Sequence, residues 1–317
     1  MTLEATPPVD LDRVQALLAN IEEVIYGKRE AVTLAVVGLL ARGHVLLEDV
    51  PGTGKTTLAR SLALSVRAQF RRIQFTADML PTDVLGFSAP TGEQAEFRFR
   101  PGPIFGNIVL ADELNRTTPR TQSSLLECMN VGRVSVDGVT HELPDPFLVV
   151  ATQNPLEFEG TYPLPESQLD RFLLRIRMGY PDRDTERQVL LSQVERHPID
   201  GLQPVLELPE VRALIRRVRE VRVEDSLLEY ILEITAATRQ TNRFLLGVSP
   251  RAALGLYRAA QALALTEGRD FCVPDDVKRL VVPVLAHRLI PSPLDGGGSV
   301  GSEDVLAELV ESLPSPQ

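Results

Sequence analysis

Residues 45–57, VLLEDVPGTGKTT, put one lysine and two hydroxyls where an apolar run breaks into a glycine-bracketed turn. Pro51, Gly52, Thr53 and Gly54 turn the chain without bulky side chains over the backbone, so successive amide N–H groups can converge on one spot. Lys55, Thr56 and Thr57 then open a segment of helical character, whose first turn adds free N–H groups and a partial positive charge. Such a loop suits a triphosphate. Lys55 would reach the β- and γ-phosphates, and the Thr56 hydroxyl would ligate Mg2+. The general form of this loop has glycine where this chain has Asp49. An acid so near phosphates is expected to face outward.

Two further stretches could complete that chemistry. NIVLADELNR (107–116) is an apolar run that ends in Asp112 and Glu113. As a buried strand it would present two carboxylates at its tip, Asp112 holding a water on Mg2+ and Glu113 polarising the water that attacks the γ-phosphate. PFLVVATQNP (146–155) is a second apolar run, ending in Asn154. The residues alone leave two readings open: an amide that places the attacking water, or a turn asparagine before Pro155.

These groups need a scaffold that brings distant segments to one edge. The runs HVLLEDV, RRIQF, GNIVLAD and PFLVVATQN are rich in branched apolar residues, as expected of parallel strands covered on both faces. Helical patterns such as KTTLARSLALSV and TQSSLLECMNV alternate with them, which predicts an α/β layered domain with right-handed crossovers. Beyond RIRMGYPDRD the pattern becomes almost wholly helical, with Pro, Ser and Asp at several helix entries. The organisation expected is therefore a nucleotide-binding α/β core over 1–180, a small helical domain over 181–290, and a Gly/Ser/Pro linker with one possible last helix over 291–317. GRVSVDGVTHELPDPF (132–147) reads as a hairpin turning at Asp137-Gly138.

Composition narrows the class. At 317 residues the chain has room for two domains, each with its own core. A hydrophobic fraction of 44% and a charged fraction of 24% are those of an ordinary globular protein. No apolar run reaches the roughly 20 residues of a membrane span, and MTLEATPPVDLDR carries no secretory pattern. Cys128 and Cys272 are expected as free buried thiols, and the expected location is cytoplasmic. A net charge of -10 argues against nucleic acid as the main partner, although local basic patches stay compatible with it. The basic run Arg216, Arg217 and Arg219, with Glu220 and Glu224 close behind, reads as a solvated face. The four histidines show no ligand spacing and are taken as structural or surface positions.

LLEDVPGTGKT, QFTADMLPTDVLG, FRPGPIFGNIVLADELNRTTPRTQSSLLECM, VVATQNPLEFEGTYPLPESQLDRF and GVSPRAAL together resemble the AAA+ ATPases, and in detail the MoxR subfamily, over almost the whole chain. LEDVPG is usual in that subfamily, so Asp49 departs only from the general loop. The resemblance implies a P-loop core of parallel sheet between helices, followed by an all-α lid, with ATP and Mg2+ as ligands. It implies that Asn154 is the sensor-1 amide and that Arg171, in QLDRF, is an arginine finger reaching a neighbouring subunit's nucleotide. It further implies that Arg251, in SPR, contacts the γ-phosphate from the lid, and that VIYG, including Val24, Ile25 and Gly27, packs on adenine. From the residues alone, the favoured readings are a domain-hinge ion pair for Arg171 and a surface residue in the first turn of its helix for Arg251. Residues 90–106 and 131–147 correspond to two β-hairpin inserts able to touch a client, or to serve as structural flaps; Phe158 and Tyr162 read as loop packing.

The activity implied is Mg2+-dependent ATP hydrolysis by a ring, taken as a hexamer because a finger requires a neighbour. Its role would be chaperone-like: assembly of complexes or insertion of metals and cofactors, with a partner carrying a von Willebrand factor A domain and an unidentified client. The alternatives are a DNA-acting AAA+ motor, a magnesium-chelatase-like motor subunit, and a scaffold that binds ATP with little turnover; Glu113 and Arg171 speak against the last.

Overall fold

The structure, a computed structural model, describes residues 12–91, 96–155, 160–192, 197–292 and 301–316. The described residues begin with an amphipathic helix α1 (Asp12–Glu22) and a helix α2 (Arg29–Leu40) that is buried all round from Ala31 onward. Strand β1 (His44–Glu48), helix α3 (Lys55–Ser65) and strand β2 (Phe70–Gln74) follow. A short helix α4 (Pro81–Leu85) enters a hairpin of β3 (Gly86–Thr91) and β4 (Glu96–Pro101). Then come β5 (Ile108–Asp112), α5 (Pro119–Val131), a second hairpin of β6 (Arg133–Val136) and β7 (Val139–Glu142), and β8 (Leu148–Gln153). A single turn α6 (Glu166–Leu169) precedes β9 (Phe172–Ile176).

Among the described residues, the regular elements that follow are helices and one small pair of strands. They comprise α7 (Arg183–Ser192), α8 (Leu208–Val218), α9 (Asp225–Gln240), β10 (Phe244–Leu246), α10 (Pro250–Thr266), α11 (Pro274–Leu285), β11 (Ile290–Pro291) and α12 (Ser302–Ser312). Among the described residues no helix is long and apolar enough to cross a membrane.

The five long-range strands form one sheet in the order β2-β5-β8-β1-β9, all parallel, with register pairs such as Leu110 with Val150 and Val45 with Val150. All five residues of β1 and of β5 are buried, which explains why these strands read as unbroken apolar runs. Side chains alternate between the two faces. Val45 and Leu47 of β1 join a cluster with α2 and the C-terminal helices, whereas Leu46 joins Val109, Ala111, Val149 and Ala151 against α5. The expectation of a separate core for the helical half is not met. Leu256, Leu263, Val277 and Leu306 lie in the same continuous cluster as Val36, Leu47 and Leu174. The reason is placement: α10 packs along α2, and α11 runs beside edge strand β9, so these helices cover one face and one edge of the sheet.

The two hairpins stand off the other face. Asp137 and Gly138 both have positive φ, at 50° and 80°, as a tight two-residue hairpin turn demands. Arms of the first hairpin span 86–91 and 96–101, earlier than the sequence suggested, with 92–95 outside the described residues. The hairpins touch through His141, stacked on Phe99 with ring centroids 3.9 Å apart. Phe97 on the same arm is largely exposed.

His44 shows how the sheet's lower edge is closed. Its Nδ1 accepts the Val149 N–H at 3.0 Å, so Nε2 carries the proton and donates to the Met129 carbonyl at 2.9 Å. Burial pushes its pKa down to about 4. The unfolded chain, with an ordinary histidine, takes up a proton near pH 6.5 that the folded chain refuses until about pH 4. Stability therefore falls as pH drops through that window, by on the order of 3 kcal/mol from this residue. Equilibrium denaturation at several pH values checks it. His44→Gln keeps a neutral donor for the Met129 carbonyl and removes the titrating ring, so it should flatten the slope; an unchanged slope assigns the loss elsewhere.

Candidate active site

The sheet's carboxyl edge collects the phosphate loop, Asp112, Glu113 and Asn154. β1 ends at Glu48, and the loop 49–54 delivers the chain to α3. Gly54 sits at φ 91°, a left-handed conformation that an L side chain resists, and no side chain caps the helix that follows. The first amides of α3 are thus left for an anion. Lys55 Nζ donates to the carbonyls of Asp49 (2.6 Å) and Val50 (2.8 Å), which poises it over the loop. Burial lowers its pKa, while the charges of Asp49, Asp112 and Glu113 raise it. The sheet gives the geometric reason: β1 and β5 both pair in parallel with β8, so the loop after β1 and the acid pair at the tip of β5 share one edge.

Asp49 does not face outward. Its carboxylate turns sideways, accepting the backbone N–H groups of Met178 (2.8 Å) and Gly179 (2.5 Å) from the chain leaving β9, and that of Val50 (2.8 Å). Three N–H donors satisfy the charge, so it need not approach phosphates.

Asp112 and Glu113 stand at the tip of β5, next to β8. Thr152 of β8, fully buried, joins them: its Oγ1 donates to Asp112 Oδ1 at 2.7 Å and accepts the Glu113 N–H at 2.8 Å. Glu113 itself has φ 58°. A left-handed glutamate is strained, and strain of this sort gathers at functional sites. Its Oε2 lies 3.2 Å from Arg116 Nε and 3.4 Å from Gln74 Nε2. Arg72, two residues before Gln74 on β2, pairs with Asp112 Oδ2 at 2.6 Å. Asn154 follows directly after β8 at the same edge.

A cleft opens beside the loop, lined by Val24, Ile25, Tyr26 and Lys28 with Gly52, Thr53, Gly54 and Thr57. Its far wall is Met178, Pro181, Thr185, Val189, Ser192, His197 and Pro198. A Cβ on Gly27 would come within 2.7 Å of Thr185 Oγ1, so glycine lets the VIYG stretch close against that wall. Sequence reasoning missed the far wall, together with Thr152, Arg72 and Gln74. Nothing in their local spacing marks them. Tyr162 donates its backbone N–H to the Asn115 carbonyl at 2.6 Å, but its side chain is exposed rather than packed as expected; Phe158 lies outside the described residues.

The donors at the loop fit Mg2+ with ATP. Thr56 offers a hydroxyl and Asp112 a carboxylate, both hard oxygen donors. Mg2+ beside a nucleotide characteristically takes few protein ligands and completes its shell with phosphate oxygens and water.

Arg171 and Arg251 lie elsewhere. Arg171 precedes Phe172, which pairs with His44 at the opposite end of the sheet. The five residues of β1 alone put roughly 13 Å between that end and the start of the loop. Arg251, in the first turn of α10, bonds Asn130 and shares a cavity with Arg171, His44 and Arg288. The structure therefore does not bring Arg251 to this chain's own phosphate loop. α10 follows α2 along the sheet face and does not cover the loop, which is why a contact from a lid folding over its own nucleotide is not seen.

Comparison with known proteins agrees with this geometry. Residues 44–174 match the model of the ATPase family associated with various cellular activities (AAA), and residues 236–309 match an AAA lid domain. The YeaC protein of Bacillus subtilis (strain 168) is 52% identical over 94% of this chain and 93% of its own. Chaperone MoxR1 of Mycobacterium tuberculosis is 37% identical, covering 97% of this chain and 84% of the relative. Protein MoxR of Paracoccus denitrificans is 31% identical, over 87% and 88%. A crystal structure of a candidate ATPase from Cytophaga hutchinsonii superposes with a TM-score of 0.89 at 33% identity, covering 97% of this chain and 96% of that one.

Proposed function

The chain belongs to the MoxR family of AAA+ ATPases, and from that premise we propose that it hydrolyses ATP with Mg2+ as a ring-forming oligomer, a hexamer. The observation that supports this reading is that β1 and β5, each paired in parallel with β8, end at Glu48 and Asp112 on one sheet edge, so the loop carrying Lys55 and the acid pair leave the sheet side by side. Lys55 binds the β- and γ-phosphates, and the amides opening α3 cradle them. Thr56 and Asp112 hold the ion, which neutralises charge on the phosphate oxygens. Glu113 accepts the proton of the attacking water, and Asn154 orients that water. Val24, Ile25 and Gly27 frame the base.

Each site takes its last cations from a neighbour. Arg171 and Arg251 stand together at the end of the sheet away from their own loop, where a second subunit's nucleotide can meet both. The work done with this hydrolysis is chaperone-like, in assembly of complexes or insertion of metals and cofactors. A von Willebrand factor A domain protein is the partner proposed, with the stacked hairpins and exposed Phe97 as the surface that meets a client. The free buried thiols Cys128 and Cys272 suit a reducing compartment, and the cytoplasm is the location proposed.

Lys55→Ala tests the phosphate loop. Removing one member of a partly buried charge pair forfeits about 2 kcal/mol or more, so ATP affinity should fall at least about 30-fold. Titration with a fluorescent ATP analogue measures it, and undiminished affinity would remove the assignment.

A further inference from the structure

Arg288 is a charged side chain in a place that does not need one. It ends the turn of 3-10 helix Ala286–Arg288 after α11, and its side chain is only 4% exposed. Nη2 donates to the Phe172 carbonyl at 2.6 Å and to the Asp170 carbonyl at 3.3 Å, the two backbone oxygens that flank Arg171. Nε lies 3.3 Å from Asp170 Oδ1, an ion pair without hydrogen-bond geometry.

The same Asp170 oxygen accepts Ser249 Oγ at 3.2 Å, and that hydroxyl in turn caps α10 by accepting the Ala252 N–H at 3.1 Å. Arg251 is therefore two residues from a cap that is tied to the residue before Arg171. One turn along the same face of α10, Gly255 leaves room: a Cβ there would lie 3.5 Å from Arg288 Nη1 and 3.0 Å from Leu173 Cδ1. The cavity between them is lined by Arg171, Arg251, Arg258 and Arg288, and its one acid among the described residues, Asp170, is already engaged.

An ordinary strap between helix and strand would be better served by an apolar residue, because a buried ion pair rarely adds net stability. Burial brings the Arg288 pKa down to about 10, still charged at neutral pH, and its Nε and Nη1 have no hydrogen-bond acceptor. Nη2 holds both carbonyls while Nε faces the Asp170 carboxylate, so the planar guanidinium fork engages the backbone and the acid from two nitrogens at once; a lysine ammonium has only one nitrogen to offer.

We infer that Arg288 is a positioning residue for hydrolysis in the adjacent subunit: it splints the backbone on both sides of Arg171 and, through Asp170 and Ser249, locks Arg171 and Arg251 into one rigid cationic edge offered to a neighbour's terminal phosphate. The inference rests on the shared-site reading above and adds the group that holds the two arginines.

The test uses the full chain. Arg288→Lys keeps charge and loses the fork; Asp170→Asn keeps the Ser249 contact and loses the ion pair. Both should bind ATP with KM within about threefold of wild type while kcat falls by roughly 100-fold, the effect of a misplacement of about 1 Å. Each is then mixed in equal amounts with Lys55→Ala, whose loop is disabled but whose arginine edge is intact. Hydrolysis should exceed the sum of the separate proteins, because sound loops now face sound arginines. A lesion confined to the variant's own fold would not be restored this way.

Arg171→Ala mixed with Lys55→Ala serves as the reference. If that pair fails to complement, the shared site itself falls. If it complements while the Arg288→Lys and Asp170→Asn mixtures do not, or if those variants turn over at the wild-type rate, the role of Arg288 is overturned alone. Should Arg288→Lys not fold, Asp170→Asn decides by the same criteria.

Discussion

Glu113→Gln is expected to hold ATP as tightly as wild type and to hydrolyse it about 10²–10⁴-fold more slowly, the range lost with a general base. The substitution keeps size and shape and removes only the ability to accept a proton. It should also leave the backbone in place, because the N–H of residue 113 is held by Thr152 Oγ1 whatever the side chain. Its neighbours Arg116 and Gln74 can both donate to an amide oxygen. Binding and turnover therefore separate cleanly. Nucleotide affinity by equilibrium titration and phosphate release under saturating ATP give the two numbers. A variant that turns over at the wild-type rate would show that another group activates the water. The same variant, loaded with ATP, is the form in which to capture a client, since a stalled ring should keep what it grips.

Arg171→Ala should give the second large effect, a loss of about 10³–10⁵ in turnover with ATP affinity spared, the range expected when a finger arginine is withdrawn from a phosphoryl-transfer site. The argument is positional. Arg171 sits where β9 begins, beside His44 at the start of β1, while the phosphate loop follows the end of β1. It cannot serve its own loop from there. Among the described residues its guanidinium has no ion-pair partner, as suits a cation reserved for something outside the chain. Wild-type activity per subunit should accordingly rise with protein concentration as rings form, and the alanine variant should stay low throughout. A wild-type rate that is flat from dilute monomer to assembled oligomer would defeat the shared site.

What was legible in the sequence follows a physical rule. A phosphate loop needs consecutive residues, because the cradle is built of neighbouring amides; PGTGKTT could be read directly. Strand tips that carry acids were readable from an apolar run that ends in charge, as at Ala111-Asp112-Glu113. Thr152 was not, since its role exists only once β8 is placed beside β5 and its hydroxyl meets Asp112. Arg72 and Gln74 belong to a strand separated from β5 by α4 and a hairpin, and look like ordinary polar residues of an edge. The location of Arg251 was likewise hidden. Helical periodicity reports which face of α10 is apolar but not which sheet edge it covers, and α10 turned out to follow α2. Two separate cores were expected from length alone; the apolar residues of α10 and α11 instead share an interior with β1 and β9.

Asp49 carries a mechanical implication. Its peptide oxygen steadies the Lys55 ammonium, while its carboxylate clasps Met178 and Gly179, where the chain leaves the sheet for α7. The far wall of the base cleft is hung from that same exit. One residue therefore joins the perch of the lysine to the strut that leads toward the helical half, and whatever shifts Asp49 shifts both.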